Sequence, residues 1–215
     1  MKPILAIIKK DVLLELRQLY AINGALLYVV SSAFVCYLVF QQIISVQTWN
    51  ALYWIIMLFS SINLISKSFM SESKEHFLYY YSLVSPRALI MARIIYNSMM
   101  LLLLSLVGYL FFVLFLGNPV KDTSLFLLIV FLGSIGLSGV LTLLSAISSR
   151  TGNNFTIMAI LSFPLVLPLI MVLIKITSQI IETAFVNWKE VLVLILLNLL
   201  FILLSNILFP YLWKE

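Results

Sequence analysis

The feature that most constrains this chain is the wide spacing of its charged residues. No charged residue stands between Arg17 and Lys67, and only the polar stretch QQIISVQTWN interrupts the apolar run between them. This run is too long for one membrane crossing, which needs about 20 apolar residues. Its polar middle is typical of an exposed turn. The run therefore predicts two membrane-spanning helices, 22–40 and 50–66.

The same pattern continues towards the C-terminus. Four further apolar runs predict spans at 94–116, 124–148, 154–174 and 190–210. Of the 215 residues, 63% are hydrophobic and only 10% are charged, whereas a soluble domain has about a quarter charged residues. We therefore predict an all-α integral membrane protein, a single transmembrane domain over 1–215 with six transmembrane helices and no room for a soluble catalytic domain.

The first twenty residues precede these spans. Apolar residues recur there at helical spacing, at Ile4, Ile8, Val12, Leu16 and Leu19. Other sides of the same helix carry Lys9, Lys10 and Arg17, although Glu15 falls close to the apolar side. No apolar core of the length of a cleavable signal follows the basic start. Residues 1–20 are predicted to form an amphipathic interfacial helix along the membrane surface.

Lysine and arginine are distributed unevenly between the two sides that six crossings create. One side holds both termini and segment 67–93, and the other side has only Lys121, Lys175 and Lys189 of the thirteen basic residues. Because positively charged loops are retained in the cytoplasm, we expect both termini and segment 67–93 to be cytoplasmic. The net charge of +5 comes from basic residues beside the spans, which set this orientation. We expect the chain to contact the lipid bilayer and not nucleic acid.

Residues that could carry chemistry are sparse. The sequence GLSG at 136–139 matches the Gly-x-Ser-Gly around the nucleophile of rhomboid-type intramembrane proteases. Such a serine needs a histidine base, and the only histidine, His76, falls in the cytoplasmic segment. A metal or haem site would also need a second ligand, and the chain has no phosphate-binding loop. We predict a non-catalytic subunit with no metal site and no directly bound cofactor.

Two groups of residues inside the predicted spans have a structural interpretation. Small residues on the fourth span, centred on Gly133, Gly136 and Gly139, favour close helix packing. In the fifth span Pro164 and Pro168 each remove a backbone donor, so the sequence predicts a bend there. Two interpretations of this bend stay open: a compliant point that moves, or a static bend against neighbouring helices.

The most informative polar stretch is MSESKEHFLYYYSLVSPRAL. Charged residues stand beside aromatic ones in it, and the set is Glu72, Lys74, Glu75, His76, Phe77, Tyr79, Tyr80 and Tyr81. A short structure with one polar and one apolar side suits docking into a groove of another protein. The alternative is an interfacial loop with its tyrosines at headgroup depth.

The order of these parts resembles the heme exporter protein B family (CcmB), the membrane subunit of an ABC-type complex in cytochrome c maturation. The resemblance spans nearly the whole chain, and FPLVLPLI at 163–170 is its most specific stretch. SPRALIMARI and LGSIGLSGVLTLLSAIS give weaker support. Family members often carry a Gly followed shortly by a Glu before the proline of segment 72–86, whereas this chain has KEHF there.

This resemblance implies a permease subunit of ABC-2 type architecture in a bacterial inner membrane. It implies a separate cytoplasmic ATPase that contacts segment 72–86 and hydrolyses ATP, with two copies of each subunit. A haem-handling membrane subunit and a haem chaperone are the further partners implied, with haem as the substrate that is exported or released with its chaperone. The alternatives are an ABC-2 type exporter permease for a lipid, polysaccharide or drug, and an intramembrane enzyme, for which the spans offer no reactive pair.

Overall fold

The computed structural model describes residues 2–18, 20–41, 43–70, 85–150 and 155–214. Regular structure in these ranges is entirely helical, which confirms the all-α prediction. The helices are α1 (Lys2–Gln18), α2 (Tyr20–Phe40), α3 (Val46–Met70), α4 (Pro86–Leu116), α5 (Thr123–Arg150), α6 (Phe155–Thr183) and α7 (Trp188–Lys214).

Six of these helices are long and apolar enough to cross a membrane, as a multi-pass membrane protein requires. The spans are Ile22–Phe40, Val46–Ser66, Pro86–Leu116, Thr123–Ser149, Thr156–Thr183 and Trp188–Leu212. The prediction of six apolar helices is confirmed for the part of the chain that the structure describes.

Two spans extend further than the sequence pattern predicts, and each extension includes a charged residue. The third begins at Pro86 and not near residue 94, because Ser85 caps the helix through its hydroxyl and proline fits the first helical position. The fifth continues past Lys175, whose ammonium lies 3.0 Å from the Glu190 carboxylate at the start of α7. Paired and capped charges thus extend helices that the charge pattern alone would end.

Helix α5 lies at the centre of the bundle. It contacts α3, α4, α6 and α7, and these four form a ring in the order α3, α4, α7, α6. Within its span 72% of the apolar stretch is buried, against 17% for α2, which packs outside α3 and α4. The core therefore lies around α5, and each of the four ring helices packs against the surface of α5.

Helix α1 packs against one end of this bundle, which we call the α1 end. Its Ile7 is buried among Leu89 and Ile90 of α4, Ala146 of α5 and Phe209 of α7. The stripe of α1 that faces the bundle has Ile7 and Asp11 buried and Ile4 and Ile8 half-buried, while Leu5, Leu13 and Leu14 are exposed. This stripe is rotated from the apolar set that spacing alone selects, because an acidic residue belongs to it. The opposite end of the bundle holds the short connections α2–α3, α4–α5 and α6–α7.

Candidate functional site

The predicted docking residues fall between α3 and α4. Glu72, Lys74, Glu75, His76, Phe77, Tyr79, Tyr80 and Tyr81 all lie outside the described residues, so their arrangement stays a prediction. Their flanks are described: α3 ends at Met70, and α4 begins at Pro86. Both flanks lie at the α1 end, and the geometry of this end is what a docked partner would act on.

A buried ion pair joins α1 to α4 at this end. Arg93 lies two turns into α4, and its Nη1 is 3.2 Å from Oδ2 of Asp11. Each of the two residues is only 5% exposed. Lys10 adds a second cation, with its Nζ 3.1 Å from Oδ1 of Asp11. Removing one partner of such a pair leaves an uncompensated buried charge, which costs about 3–5 kcal/mol, so the pair fixes the register of α1 on α4.

A second polar contact ties α1 to both α2 and α4. The Glu15 carboxylate accepts a hydrogen bond from the backbone N–H of Ile22 at 3.1 Å, and it is hydrogen-bonded to the side chain of Tyr96. Ile22 lies in the first turn of α2, where backbone N–H groups have no partner within the helix. Glu15, close to the apolar side of α1, therefore supplies a hydrogen-bond acceptor to a backbone N–H in the first turn of α2.

The glycines of α5 face side chains of the surrounding ring. A Cβ at Gly133 would lie 3.0 Å from both Leu173 of α6 and Trp54 of α3. A Cβ at Gly139 would meet nothing closer than Ile202 of α7 at 3.6 Å, an ordinary van der Waals distance. Close approach to the ring therefore depends on the absence of a side chain at Gly133, whereas the surroundings of Gly139 leave room for one.

Gly136 has the most crowded environment of the three. A Cβ there would collide with Oδ1 of Asn198 on α7 and lie 3.0 Å from Leu169 on α6. The amide nitrogen of Asn198 donates to the carbonyl of Leu132, one turn earlier on α5, at 2.9 Å. Its buried Oδ1 has no N–H or O–H donor among the described residues, and it lies against Gly136 where a Cβ atom would be. Asn198 thus contacts one turn of α5 at two residues, Leu132 and Gly136.

Hydroxyl and amide side chains make further contacts between α5 and its neighbours. These include Asn97 to Thr142 at 2.8 Å, Ser138 to the Ile94 carbonyl at 2.7 Å, Ser145 to the Ser66 carbonyl at 3.2 Å, and Ser205 to the Gly139 carbonyl at 3.2 Å. The serine of the GLSG sequence therefore donates to a main-chain oxygen of α4. Each of these contacts fixes α5 to one neighbouring helix.

Helix α6 is anchored to α3 in its second half. The indole N–H of Trp54 donates to Oγ1 of Thr177 at 3.0 Å, and Thr177 donates to Oδ1 of Asn50 at 2.8 Å. The Asn50 amide in turn donates to the Ile174 carbonyl at 2.9 Å and to the Ser178 hydroxyl at 2.8 Å. All these residues of α6 follow the two prolines in the chain.

The first half of α6 has a different character. Pro164 and Pro168 lie inside the helix and are exposed, with Phe163 and Met171 exposed beside them at 59% and 69%. The side that faces the bundle over this stretch carries Ser162, Val166, Leu169 and Ile170. The prolines therefore lie on the outer face of α6, where no described helix of this chain covers them.

Possible metal ligands lie apart from one another in the part of the chain that the structure describes. Within the described ranges no three residues of the His, Cys, Asp and Glu types stand close enough together to hold a metal ion. The residues whose partners spacing missed are Asp11, Glu15 and Arg93, and each has a polar partner on another helix. No family model matches the chain, and neither the curated proteins nor the solved structures contain a match to it.

Proposed function

We propose that this chain is the membrane permease subunit of an ABC-type transporter complex, in which a separate cytoplasmic ATPase hydrolyses ATP. The observation that carries the proposal is the buried pair of Asp11 and Arg93. It joins α1 to α4, and α4 is the helix that directly follows the predicted docking segment. A displacement of that segment would therefore move α4 and α1 as one body.

Two packing features support transmission of such a movement to the rest of the bundle. Helix α4 packs closely on α5, which touches every helix of the ring. Helix α6 is fixed to α3 at Thr177 but carries Pro164 and Pro168 on an outer face in its first half. In this mechanism the fixed half holds its place, and the helix flexes at the prolines.

We also propose an orientation in the membrane, which the charge count supports. We place the α1 end in the cytoplasm of a bacterial inner membrane, because the opposite side has only three of the thirteen basic residues. This places the docking segment on the side where ATP is available. The surface of α1 that carries Leu5, Leu13 and Lys9 is exposed, and it suits contact with the inner membrane surface.

The substrate and the remaining partners are proposed from the resemblance at 163–170. They are haem, exported or released with its chaperone during cytochrome c maturation, a haem-handling membrane subunit, and two copies of this chain in an ABC-2 type arrangement. Haem would be handled by the complex, with this chain supplying the membrane path and not an iron ligand. The alternative cargo is a lipid, polysaccharide or drug carried by the same type of permease.

The test is purification of the tagged chain in mild detergent from its native membrane, with identification of what copurifies by mass spectrometry. We expect an ATPase together with cytochrome c maturation proteins. Replacing Glu75, Tyr79, Tyr80 and Tyr81 together by Ala should remove the ATPase, whereas Lys189→Ala on the opposite side should retain it. An ATPase with lipid or polysaccharide machinery would favour the alternative cargo, and a reproducible absence of any ATPase would contradict the proposal.

A further inference from the structure

Pro164 and Pro168 leave two main-chain acceptors on the outer face of α6. Proline has no N–H, so the carbonyl oxygens of Ile160 and Pro164 lack the donor that an α-helix supplies four residues later. Ile160 is 66% exposed, and Pro164 is exposed as well. At about 1.5 Å per residue, the two residues lie about 6 and about 12 Å from the start of the span at Thr156. These acceptors therefore lie at the depth of the bilayer.

The chain offers these two carbonyls no donor from this stretch of α6. Between Ile160 and Met171 the only side chain with a donor is that of Ser162, and its hydroxyl bonds to the Ala159 carbonyl at 2.9 Å. No described side chain on another helix donates to either oxygen. Lipid chains carry no donors, and a freed carbonyl at this depth is tolerated where protein or water covers it. The exposed neighbours Phe163 and Met171 are apolar, which favours protein over water.

Helix α2 carries the complementary group on its outer face. Tyr28 is 36% exposed there, and its hydroxyl has no hydrogen-bond partner in the described part of the chain. Gly24, one turn earlier, is exposed, and a Cβ atom there would have nothing within 4 Å. A small residue of this kind lets a second helix approach closely. Tyr28 lies about 9 Å from the start of its span at Ile22, at a depth close to that of the Ile160 carbonyl.

Helix α3 lies between α2 and α6 within one copy of the chain, since it contacts both. Its outer side between them carries Ile55 and Phe59, which are 44% and 49% exposed. Two copies with the same orientation in one membrane are related by a rotation about the membrane normal, so surfaces at equal depth meet. A two-fold axis beside α3 therefore brings α2 of each copy against α6 of the other, in a contact that closes on itself.

We propose that α2 of a second copy of this chain covers the face of α6 that carries Pro164 and Pro168. The Tyr28 hydroxyl of each copy donates to the Ile160 carbonyl of the other, and Gly24 allows the two helices to approach closely. The two copies thus meet through two identical hydrogen-bonded contacts. This inference rests on the two copies of the proposed function, but the contact itself requires neither an ATPase nor haem.

Disulfide formation between introduced cysteines tests this arrangement in native membranes. In a chain with Cys36→Ala, Leu27→Cys and Ile160→Cys place thiols on the two faces, at positions that are 74% and 66% exposed in one copy. Because α3 separates them within a copy, a disulfide between them has to join two copies. We expect dimers on non-reducing gels after mild oxidation. Leu27→Cys with Ile207→Cys is the matched control, since Ile207 is 57% exposed at a similar depth on α7. It should stay monomeric, as should each chain with one cysteine.

The hydrogen bond makes a quantitative prediction. Tyr28→Phe removes two interhelical hydrogen bonds per dimer and should raise the dissociation constant in lipid vesicles about tenfold, measured by energy transfer between labelled copies on dilution with lipid. Pro164→Ala gives the Ile160 carbonyl a donor within its own helix, so Tyr28→Phe should have little further effect in that variant. Tyr211→Phe, 71% exposed on α7, is the control and should leave the dissociation constant unchanged.

Gly24→Leu gives a second test that should not disturb a single copy, because the space around Gly24 is open. It should abolish the disulfide between Leu27→Cys and Ile160→Cys. A disulfide that persists in Gly24→Leu, or that forms no more than in the Ile207 control, would overturn the inference. Rapid reaction of Ile160→Cys with a membrane-impermeant maleimide would show water on this face, and crosslinking to a different protein would show another subunit there; either result would overturn it too. An ATPase that copurifies with a chain failing these tests would leave the proposed function standing.

Discussion

The side-chain oxygen of Asn198 occupies the space that a Cβ atom at Gly136 would fill. The two residues lie on different helices, α7 and α5, and neither position can change without the other. Asn198 also donates to the Leu132 carbonyl, so it cannot move away without breaking a hydrogen bond in the bundle interior. The contact between α5 and α7 is therefore specified by a glycine and an amide together.

Gly136→Ala should destabilise the protein through this contact. The added methyl group displaces the Asn198 amide and presses on Leu169, and overpacking of this kind costs about 1–3 kcal/mol. Thermal unfolding of the purified protein in detergent measures the effect. Gly139→Ala is the matched control, since its Cβ would find ordinary contact distances. Equal unfolding temperatures for the two variants would contradict the proposed contact.

The buried pair of Asp11 and Arg93 makes a second prediction. Asp11→Ala should lower stability by about 3–5 kcal/mol, because it removes the Asp11 carboxylate from beside the buried Arg93 guanidinium. Asp11→Leu combined with Arg93→Met should recover most of that loss, since two apolar side chains replace both charges. Urea unfolding of the wild type, Asp11→Leu, Arg93→Met and the double variant gives the coupling free energy.

Lys175→Ala is the control for this cycle. Lys175 also pairs with a carboxylate, that of Glu190, but its side chain is 67% exposed. The Glu190 side chain is 17% exposed, so the pair is less buried than that of Asp11 and Arg93. This variant should therefore lose much less stability than Asp11→Ala. If Asp11→Ala behaves like Lys175→Ala, the register of α1 on α4 does not depend on the ion pair.

The sequence predicts the spans well because each is a local property of about 20 neighbouring residues. It also selects Gly133, Gly136 and Gly139 as a small-residue face, since their spacing is local too. The partner of Gly136 is beyond such reasoning, because Asn198 lies on another helix and the chain offers several other amides. A small-residue pattern predicts close packing but not which side chain completes it.

Arg93 shows a second case in which a partner on another helix is beyond prediction from the local sequence. A positive charge beside an apolar run predicts the end of a span, and the prediction therefore started the third span at 94. In the structure the helix begins at Pro86, and Arg93 lies buried within it because Asp11 of α1 pairs with its guanidinium. Charge is a reliable signal of exposure only when no partner is supplied from elsewhere in the chain.

The network around Asn50 makes a third prediction, which concerns the fixed half of α6. Asn50→Leu removes one acceptor of the Thr177 hydroxyl and the amide that donates to the Ile174 carbonyl and the Ser178 hydroxyl. Losing buried hydrogen-bond partners costs about 1–3 kcal/mol. We expect a matching loss of thermal stability. Ser31→Ala is the control, because the Ser31 hydroxyl bonds only to carbonyls of its own helix on an exposed face. A variant at Asn50 as stable as Ser31→Ala would show that α6 is held by apolar packing alone.

The prolines of α6 give the last prediction, which separates a moving helix from a static bend. Replacing both Pro164 and Pro168 by Ala returns two backbone N–H groups to the helix and should raise its stability, since an interior proline costs about 3 kcal/mol. Neither ring contributes to the buried core, so insertion into the membrane should be unchanged. If α6 flexes at the prolines, the stiffened helix should lower ATP-dependent output several-fold, measured as c-type cytochrome on haem-stained gels. Leu167→Ala, exposed on the same stretch, controls for loss of surface contact, and full output from the double proline variant would establish that the bend is static.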